Sequence, residues 1–590
     1  MNRNFLHIVK FFIVFSLLML LTIMSCQMKI PCDPEAEDGC PSDTICKKVG
    51  QDQGVCLYVC DPDGDDQCSS NEVCLHYADG TYACTEKCDP NRAKACPDEW
   101  ICAPVTGGEY VCRPQCDLDI DDCDEGEVCQ PLSDGTSVCV AECDPESESD
   151  CGEDWVCELR TDGLYACYEP VYLKGRVFDS ATDNPIEGTH VIAVDKTGAA
   201  ATDVAVTDMN GMYELKVPVE REPDGTLHEG TYTLRIFAPD YLPYPHGIRP
   251  ALPIDATQAS NLEEVRWVLQ NALTEIALIA LPAEKQGRGS VAGSIVVNEG
   301  DASHGGVLVV VEGDTEDPLF GFSDKSGMYT VFNVPEGSWE VHGYKAFLQL
   351  DPVAVTLTAG DAKTGIDLIS NSNPYGIVTG SLNIVNAPGD LATSVVLVPE
   401  STFNETFVKG EVPPGLRAPE PPESPSIISN FTIEGVPDGK YVVLAAFEND
   451  LLVRDPDPSI AGTQILHIQV PDGSSYDIDI ASSFKVTEAL VIVSPGATEP
   501  ELITENPTFI WKDDSSETKY SIVVYNVFGD EVWRDDNLPR VTGSENVTVA
   551  YGGSPLQPGM YYQFRATSWR DDGPISQTED LLGVFYTSTD

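Results

Sequence analysis

At 590 residues the chain is too long for one hydrophobic core, because cores stop growing near roughly 250–300 residues, so several domains are expected. A formal charge of −62 repels nucleic-acid backbones and anionic lipid surfaces and argues against both as ligands. Hydrophobic content of 42%, with 48 glycines and 43 prolines dispersed along the chain, fits many short strands joined by turns.

Residues 1–25 carry Arg3 and Lys10 and then an apolar run from Phe11 to Met24. The run is shorter than the roughly 20 residues a membrane-spanning helix needs, and its flanks suit a signal-peptide core. It ends in Ile23-Met24-Ser25-Cys26, which resembles a bacterial lipobox. The resemblance implies cleavage before Cys26, acylation of that cysteine, and a lipidated tether over residues 26–31. Two or three acyl chains anchor stably where one binds only reversibly. Gln27, where an aspartate would imply inner-membrane retention, points to the outer membrane or cell surface.

All 21 cysteines lie between Cys26 and Cys167, and those after Cys26 form a ladder over residues 32–170. The five units are Cys32, Cys40, Cys46, Cys56; Cys60, Cys68, Cys74, Cys84; Cys88, Cys96, Cys102, Cys112; Cys116, Cys123, Cys129, Cys139; and Cys143, Cys151, Cys157, Cys167. They recur every 28 residues, or 27 between the last two. So small a unit cannot bury a sufficient core, and cross-links of roughly 2–4 kcal/mol each must substitute. Two disulfides per unit consume every cysteine in an oxidising compartment, but four cysteines allow three pairings, which the sequence leaves open. Asp79-Gly80, Asp134-Gly135 and Asp162-Gly163, between the last two cysteines of their units, predict tight hairpins.

Zinc sites favour close cysteine pairs with histidine, and this region holds only His76. Calcium suits the alternating carboxylates Asp61, Asp63 and Asp65, and Asp117, Asp119 and Asp121, although neither loop closes with an EF-hand glutamate. The competing reading is solvated acidic loops, with no cofactor. The unit resembles small cysteine-rich repeats, EGF-like in size, of bacterial surface lipoproteins, which implies a stalk or binding array.

From Val171 short alternating runs with frequent turn signals predict antiparallel sandwiches. Residues 171–283 resemble the carboxypeptidase regulatory-like domain, a transthyretin-type fold, through Gly175, Pro185-Ile186, Asp208 to Tyr213, and Gly230 to Leu234. Residues 289–371 resemble it through Ser290-Val-Ala-Gly293, Ser323 to Tyr329 and Val334-Pro335-Glu-Gly337-Ser-Trp339. Residues 375–481 do so through Gly376 to Gly380 and Val436-Pro437-Asp-Gly439-Lys-Tyr441, with a proline-rich insert from Pro413 to Pro425. In the Val-Pro-x-Gly-x-aromatic step, proline ends a strand, glycine turns, and the aromatic begins the next strand facing the core. Residues 484–590 resemble a fibronectin type III module through Asn506 to Trp511, Tyr520 to Tyr525 and Pro558-Gly559-Met-Tyr561.

The expected fold is therefore mainly β: a multi-domain string of antiparallel β-sandwiches preceded by a disulfide-rich region of small repeats. None of the eight histidines begins a His-x-x-Glu pair, and neither Gly-x-Ser-x-Gly nor His-Glu-x-x-His occurs, so no enzyme is expected. The reading is a non-catalytic, lipid-anchored surface protein for adhesion, scaffolding or envelope interaction. It contacts the membrane through its anchor, meets a protein or glycan partner, and binds no nucleic acid. One alternative is a carbohydrate- or calcium-binding module using Tyr241, Tyr244, Trp339 or Trp569; another is an accessory to a secreted enzyme.

Overall fold

The computed structural model describes residues 31–32 and 40–588 apart from 51–52, 62–67, 78–80, 93–94, 98–99, 106–108, 119–122, 124–125, 132–135, 145–150, 152–154, 250, 262–265, 299–301, 316, 386–392, 405–409, 421–425, 447–464, 481–483, 488, 515, 543–545, 572 and 579–581. Cys26 and the signal segment lie outside the described residues. The described chain is built of β-strands with short 3-10 turns and contains no α-helix. It divides into two compact units, one comprising residues 1–170 with 218–229 and the other residues 171–217 with 230–590.

The first unit is a series of hairpins, the first of them joined by a third short strand, Pro31–Cys32. Their strands are Thr44–Gly50 with Gln53–Tyr58, Glu72–His76 with Tyr82–Glu86, Trp100–Val105 with Glu109–Pro114, Glu127–Pro131 with Ser137–Ala141, and Val156–Leu159 with Tyr165–Tyr168. The third and fourth cysteines of each unit stand directly opposite one another across the hairpin, as Cys46 does to Cys56. They are not bonded to each other. The first cysteine bonds the third and the second bonds the fourth, as in Cys32–Cys46 and Cys40–Cys56, and all five units repeat this pairing. The two bridges lie against each other: the sulfurs of the first, second and fourth cysteines fall within 4.8 Å in every unit.

Successive units are linked through the backbone. Cys60 N–H donates to Tyr82 O at 3.1 Å, Cys88 to Tyr110 O at 2.8 Å, and Cys116 to Ser137 O at 3.2 Å. Buried Ala83, Val111 and Val138 lie beside these links. At the fourth junction, where the period shortens, the Glu142 carboxylate accepts the Tyr165 N–H instead, at 3.0 Å. Val128, Ala166 and Tyr168 pack together there.

The second unit contains four sandwiches. In the first, Val171–Asp179 pairs antiparallel with Met212–Val217 and parallel with Trp267–Leu269 and Glu275–Leu278, opposite a sheet built on His190–Val194 and Thr231–Phe237. The second repeats this plan around Gly289–Val296 and the third around Gly376–Val385. The shared plan has a local cause. A Cβ on Gly175 would stand 1.8 Å from Thr274 O, and one on Gly293 would stand 2.0 Å from Ile366 O. Glycine therefore lets the returning strand close on the first one. The Tyr213 hydroxyl donates to Thr274 O at 2.8 Å, and Tyr329 donates likewise to Ile366 O. In the third sandwich Phe431 stands in that place and has no hydroxyl to give.

The fourth sandwich sets Thr508–Lys512, between Ile492–Ser494 and Asn546–Ala550, against a sheet centred on Lys519–Asn526 and Tyr561–Arg570. Trp511 is fully buried among Phe509, Tyr520 and Phe564, in keeping with a core role. Apolar packing also joins sandwiches: one cluster runs from Ile192, Val194 and Phe237 through Leu308, Val310 and Tyr344 to Val395, Leu397 and Tyr441.

Gly175→Ala is expected to destabilise the first sandwich by roughly 1–3 kcal/mol, the usual range for over-packing. Hydrogen exchange should accelerate in residues 171–217 and 267–278 and stay unchanged in the fourth sandwich.

Candidate interaction sites

Two consecutive joints in the second unit use the same device. After Thr231–Phe237 the first sandwich turns through Ala238-Pro239-Asp240-Tyr241, with Asp240 at φ +67°. Asn333 of the second sandwich, itself at φ +61°, receives this turn. Its Oδ1 accepts Asp240 N–H at 2.7 Å, and its Nδ2 donates to Ala238 O at 3.1 Å and Tyr241 O at 3.0 Å. After Gly337–Tyr344 the second sandwich turns through Lys345-Ala346-Phe347-Leu348, with Phe347 at φ +58°. Phe347 N–H donates to the carbonyl of Gly435 at 2.8 Å, and Gly435 is at φ +69°.

Asn333 and Gly435 both stand immediately before a Val-Pro step, where the register of the strand pair shifts. Asparagine and glycine are the residues that tolerate this left-handed backbone. At Gly435 a Cβ would also meet the Phe347 ring at 2.7 Å. Side chains reinforce both joints. Ser326 N–H and Oγ donate to Asp203 at 3.0 and 2.7 Å, and Lys325 N–H donates to Thr202 O at 3.1 Å. Gln349 exchanges hydrogen bonds with Asp438, donating to its Oδ1 at 2.9 Å and accepting its N–H at 3.1 Å. Burial raises the Asp324 carboxyl above its ordinary range at the first joint, and nearby Asp203 adds to the effect.

A third contact brings the fourth sandwich onto the first. Leu242, Ile248 and Ile279 pack with Val527 and Val584. The buried Arg249 guanidinium lies 5.2 Å from the Tyr244 ring and 5.1 Å from the Tyr561 ring, and donates to Ala277 O. Its pKa is lowered by burial.

The residues singled out as ligand candidates do not assemble into one site. Tyr241 donates to Asp179 at 3.0 Å, and Tyr244 lies under Arg249. Trp339 is buried, with its indole N–H on Pro335 O at 3.0 Å. Trp569 is half-buried, donates to Ser521 Oγ at 2.8 Å, and carries Lys519 over its ring. They therefore form no shared aromatic platform. Asp61 and Asp117 are described; Asp63, Asp65, Asp119 and Asp121 lie outside the described residues. Among the described residues, the groups of three possible metal ligands that converge are the disulfide cysteines, whose bonded sulfurs have no thiolate to offer. A shallow open depression on the third sandwich, of about 390 Å³, is lined by residues including Gly380, Ser381, Asn430, Phe431 and Asp479.

Sequence reasoning missed the joints, although a left-handed former one residue ahead of Val-Pro in both modules was a usable sign. It also missed the eleven residues, 219–229, that separate Val217-Pro218 from Gly230-Thr-Tyr232 where the other two modules place a single residue.

Residues 496–582 match the family model described as Rha78A-like, N-terminal immunoglobulin domain. The chain is a multi-domain β-protein, and its last sandwich is similar to an immunoglobulin domain. The match covers the last sandwich alone and names an immunoglobulin domain. No curated protein matches the chain. Among solved structures, the Bacillus anthracis TIE protein is 10% identical over 74% of this chain and 71% of its own, with a TM-score of 0.13. A streptococcal ancillary pilin is 13% identical over 54% and 99%, at 0.14. Shaft pilin SpaA from Lactobacillus rhamnosus GG is 10% identical over 35% and 99%, also at 0.14. At such scores these likenesses carry no weight for arrangement or function.

Asn333→Ala removes three hydrogen bonds and places an ordinary Cβ in left-handed backbone, and should cost about 2–4 kcal/mol at the first joint. Asn333→Gly keeps the backbone and should cost about half as much. Amide exchange at residues 238–241 and 328–334 reads both.

Proposed function

We propose that this chain is a non-catalytic, lipid-anchored protein of a bacterial cell surface, serving adhesion, scaffolding or envelope interaction. The observation that carries the reading is the fivefold repetition of one disulfide pairing through Cys32–Cys167. Small domains that replace a core by cross-links persist where thiols are oxidised, outside the cytoplasm. The repeated joints of the second unit support a scaffold role, because they set the first sandwich against the second and the second against the third through directed hydrogen bonds.

Among the described residues no helix is long and apolar enough to cross a membrane, and the membrane contact proposed is acylated Cys26. The cysteine-rich region and the sandwiches, regulatory-like and fibronectin-like in this reading, would present surfaces to a protein or glycan partner. With a formal charge of −62, nucleic acid is not among the partners proposed. Calcium at Asp61, Asp63, Asp65, Asp117, Asp119 and Asp121 is the one cofactor admitted; an unchanged melting temperature in excess chelator removes it.

Mass spectrometry of protein from its native host should show a mature chain starting at acylated Cys26 and no free thiol among the twenty cysteines that follow. Cys26→Ala should lose envelope retention while all ten disulfides still form. Free thiols throughout residues 32–167, or a mature chain retaining residues 1–25, would refute the reading.

A further inference from the structure

The segment between Pro218 and Gly230 belongs by sequence to the first sandwich, yet it lies in the compact unit of the disulfide repeats. The second and third sandwiches cross the same position with one residue, Glu336 or Asp438, so a sandwich of this plan does not need the other ten. Here the extra residues form a small hairpin, Glu220–Arg221 with Leu227–Glu229.

The hairpin meets the fifth repeat, the last of the ladder. In the first three units the third residue after the last cysteine, Val59, Lys87 or Gln115, bridges to the following unit. In the fifth unit that residue is Pro170, which has no N–H to give. The backbone is paired another way: Arg160 bridges to Arg221, and Thr161 N–H donates to Arg221 O at 2.9 Å. The residue after the third cysteine is buried in every unit: Lys47, Leu75, Ala103, Gln130 and Glu158. In the last of them it is a carboxylate whose side chain is 0% exposed. Glu158 accepts Arg221 Nε at 2.6 Å and Val219 N–H at 2.9 Å. The Arg221 guanidinium also donates to Glu169 O at 2.7 Å and Gly225 O at 3.2 Å, and lies over the Tyr168 ring at 5.1 Å. Thr161 Oγ1 donates to Glu222 at 2.9 Å, and Gly225 approaches Pro131 of the fourth repeat.

We propose that residues 219–229 are the terminal cap of the disulfide array, a strap supplied from further along the chain, with Arg221 neutralising a carboxylate that the last repeat buries in place of a next repeat. Repeat arrays need such caps because their end unit otherwise exposes the face its neighbours cover. A buried carboxylate deprived of its cation is strongly destabilised.

The test uses the full chain and timed reduction by a thiol, with mass-spectrometric mapping of each disulfide. Cys88–Cys102 and Cys96–Cys112 serve as internal references. In Arg221→Glu, reduction of Cys143–Cys157 and Cys151–Cys167 should accelerate on the order of tenfold or more relative to the references. The double variant Glu158→Arg with Arg221→Glu should recover most of the protection. Replacing residues 219–229 by one glutamate, as at Glu336, should expose the same two disulfides while hydrogen exchange in residues 171–217 stays unchanged. Wild-type reduction kinetics in both Arg221→Glu and the shortened chain would overturn the proposal, as would equal acceleration in all five repeats.

Discussion

Two disulfides lying against each other do for each small repeat what a hydrophobic core does for a larger domain. Units of this length bury too little apolar surface to offset chain entropy. Each bridge closes a loop of comparable length, with sequence separations of 14 and 16 in the first unit, so both limit the unfolded chain to a similar degree. Linking first to third and second to fourth ties both hairpin strands to the segment before them. The hairpin can then present one buried residue to its neighbour, Ala83, Val111 or Val138, beside the N–H–carbonyl link that joins each of the first three repeats to the next.

The sandwiches solve a different problem. Each has a core of its own, and what must be specified is how one meets the next. The two joints do this with backbone in the left-handed region on both sides, Asp240 against Asn333 and Phe347 against Gly435. Such a conformation points N–H and carbonyl groups away from the sheet ladder and toward the neighbouring module. Its cost is local, and it is offset by hydrogen bonds that only the docked neighbour can satisfy.

Much of the architecture was legible. Two-residue alternation and the recurring Val-Pro-x-Gly-x-aromatic step exposed the strands, and the even cysteine ladder exposed the cross-linked region. Trp339, which the Val-Pro-x-Gly-x-aromatic step places facing the core, is buried. The ligand candidates were less legible, since aromatic identity does not report exposure: Tyr244 is covered by Arg249, and Trp339 caps Pro335. The insertion 219–229 was hidden because the step it interrupts keeps both its halves, and an insertion leaves no trace in strand periodicity.

By itself the sequence determined the secondary-structure class, the number of cysteine repeats and the requirement that the cysteines pair within units. These rest on local quantities: side-chain period, turn chemistry and cysteine count. Only the tertiary structure decided which cysteine joins which, how one sandwich seats on the next, and what covers Glu158. Loop-closure entropy changes only logarithmically with length, so it cannot separate the three pairings. The joints join residues as far apart as Asp240 and Asn333, 93 positions along the chain, and the Glu158–Arg221 pair spans 63. Contacts at that separation depend on where whole sheets come to rest, and no local pattern encodes it.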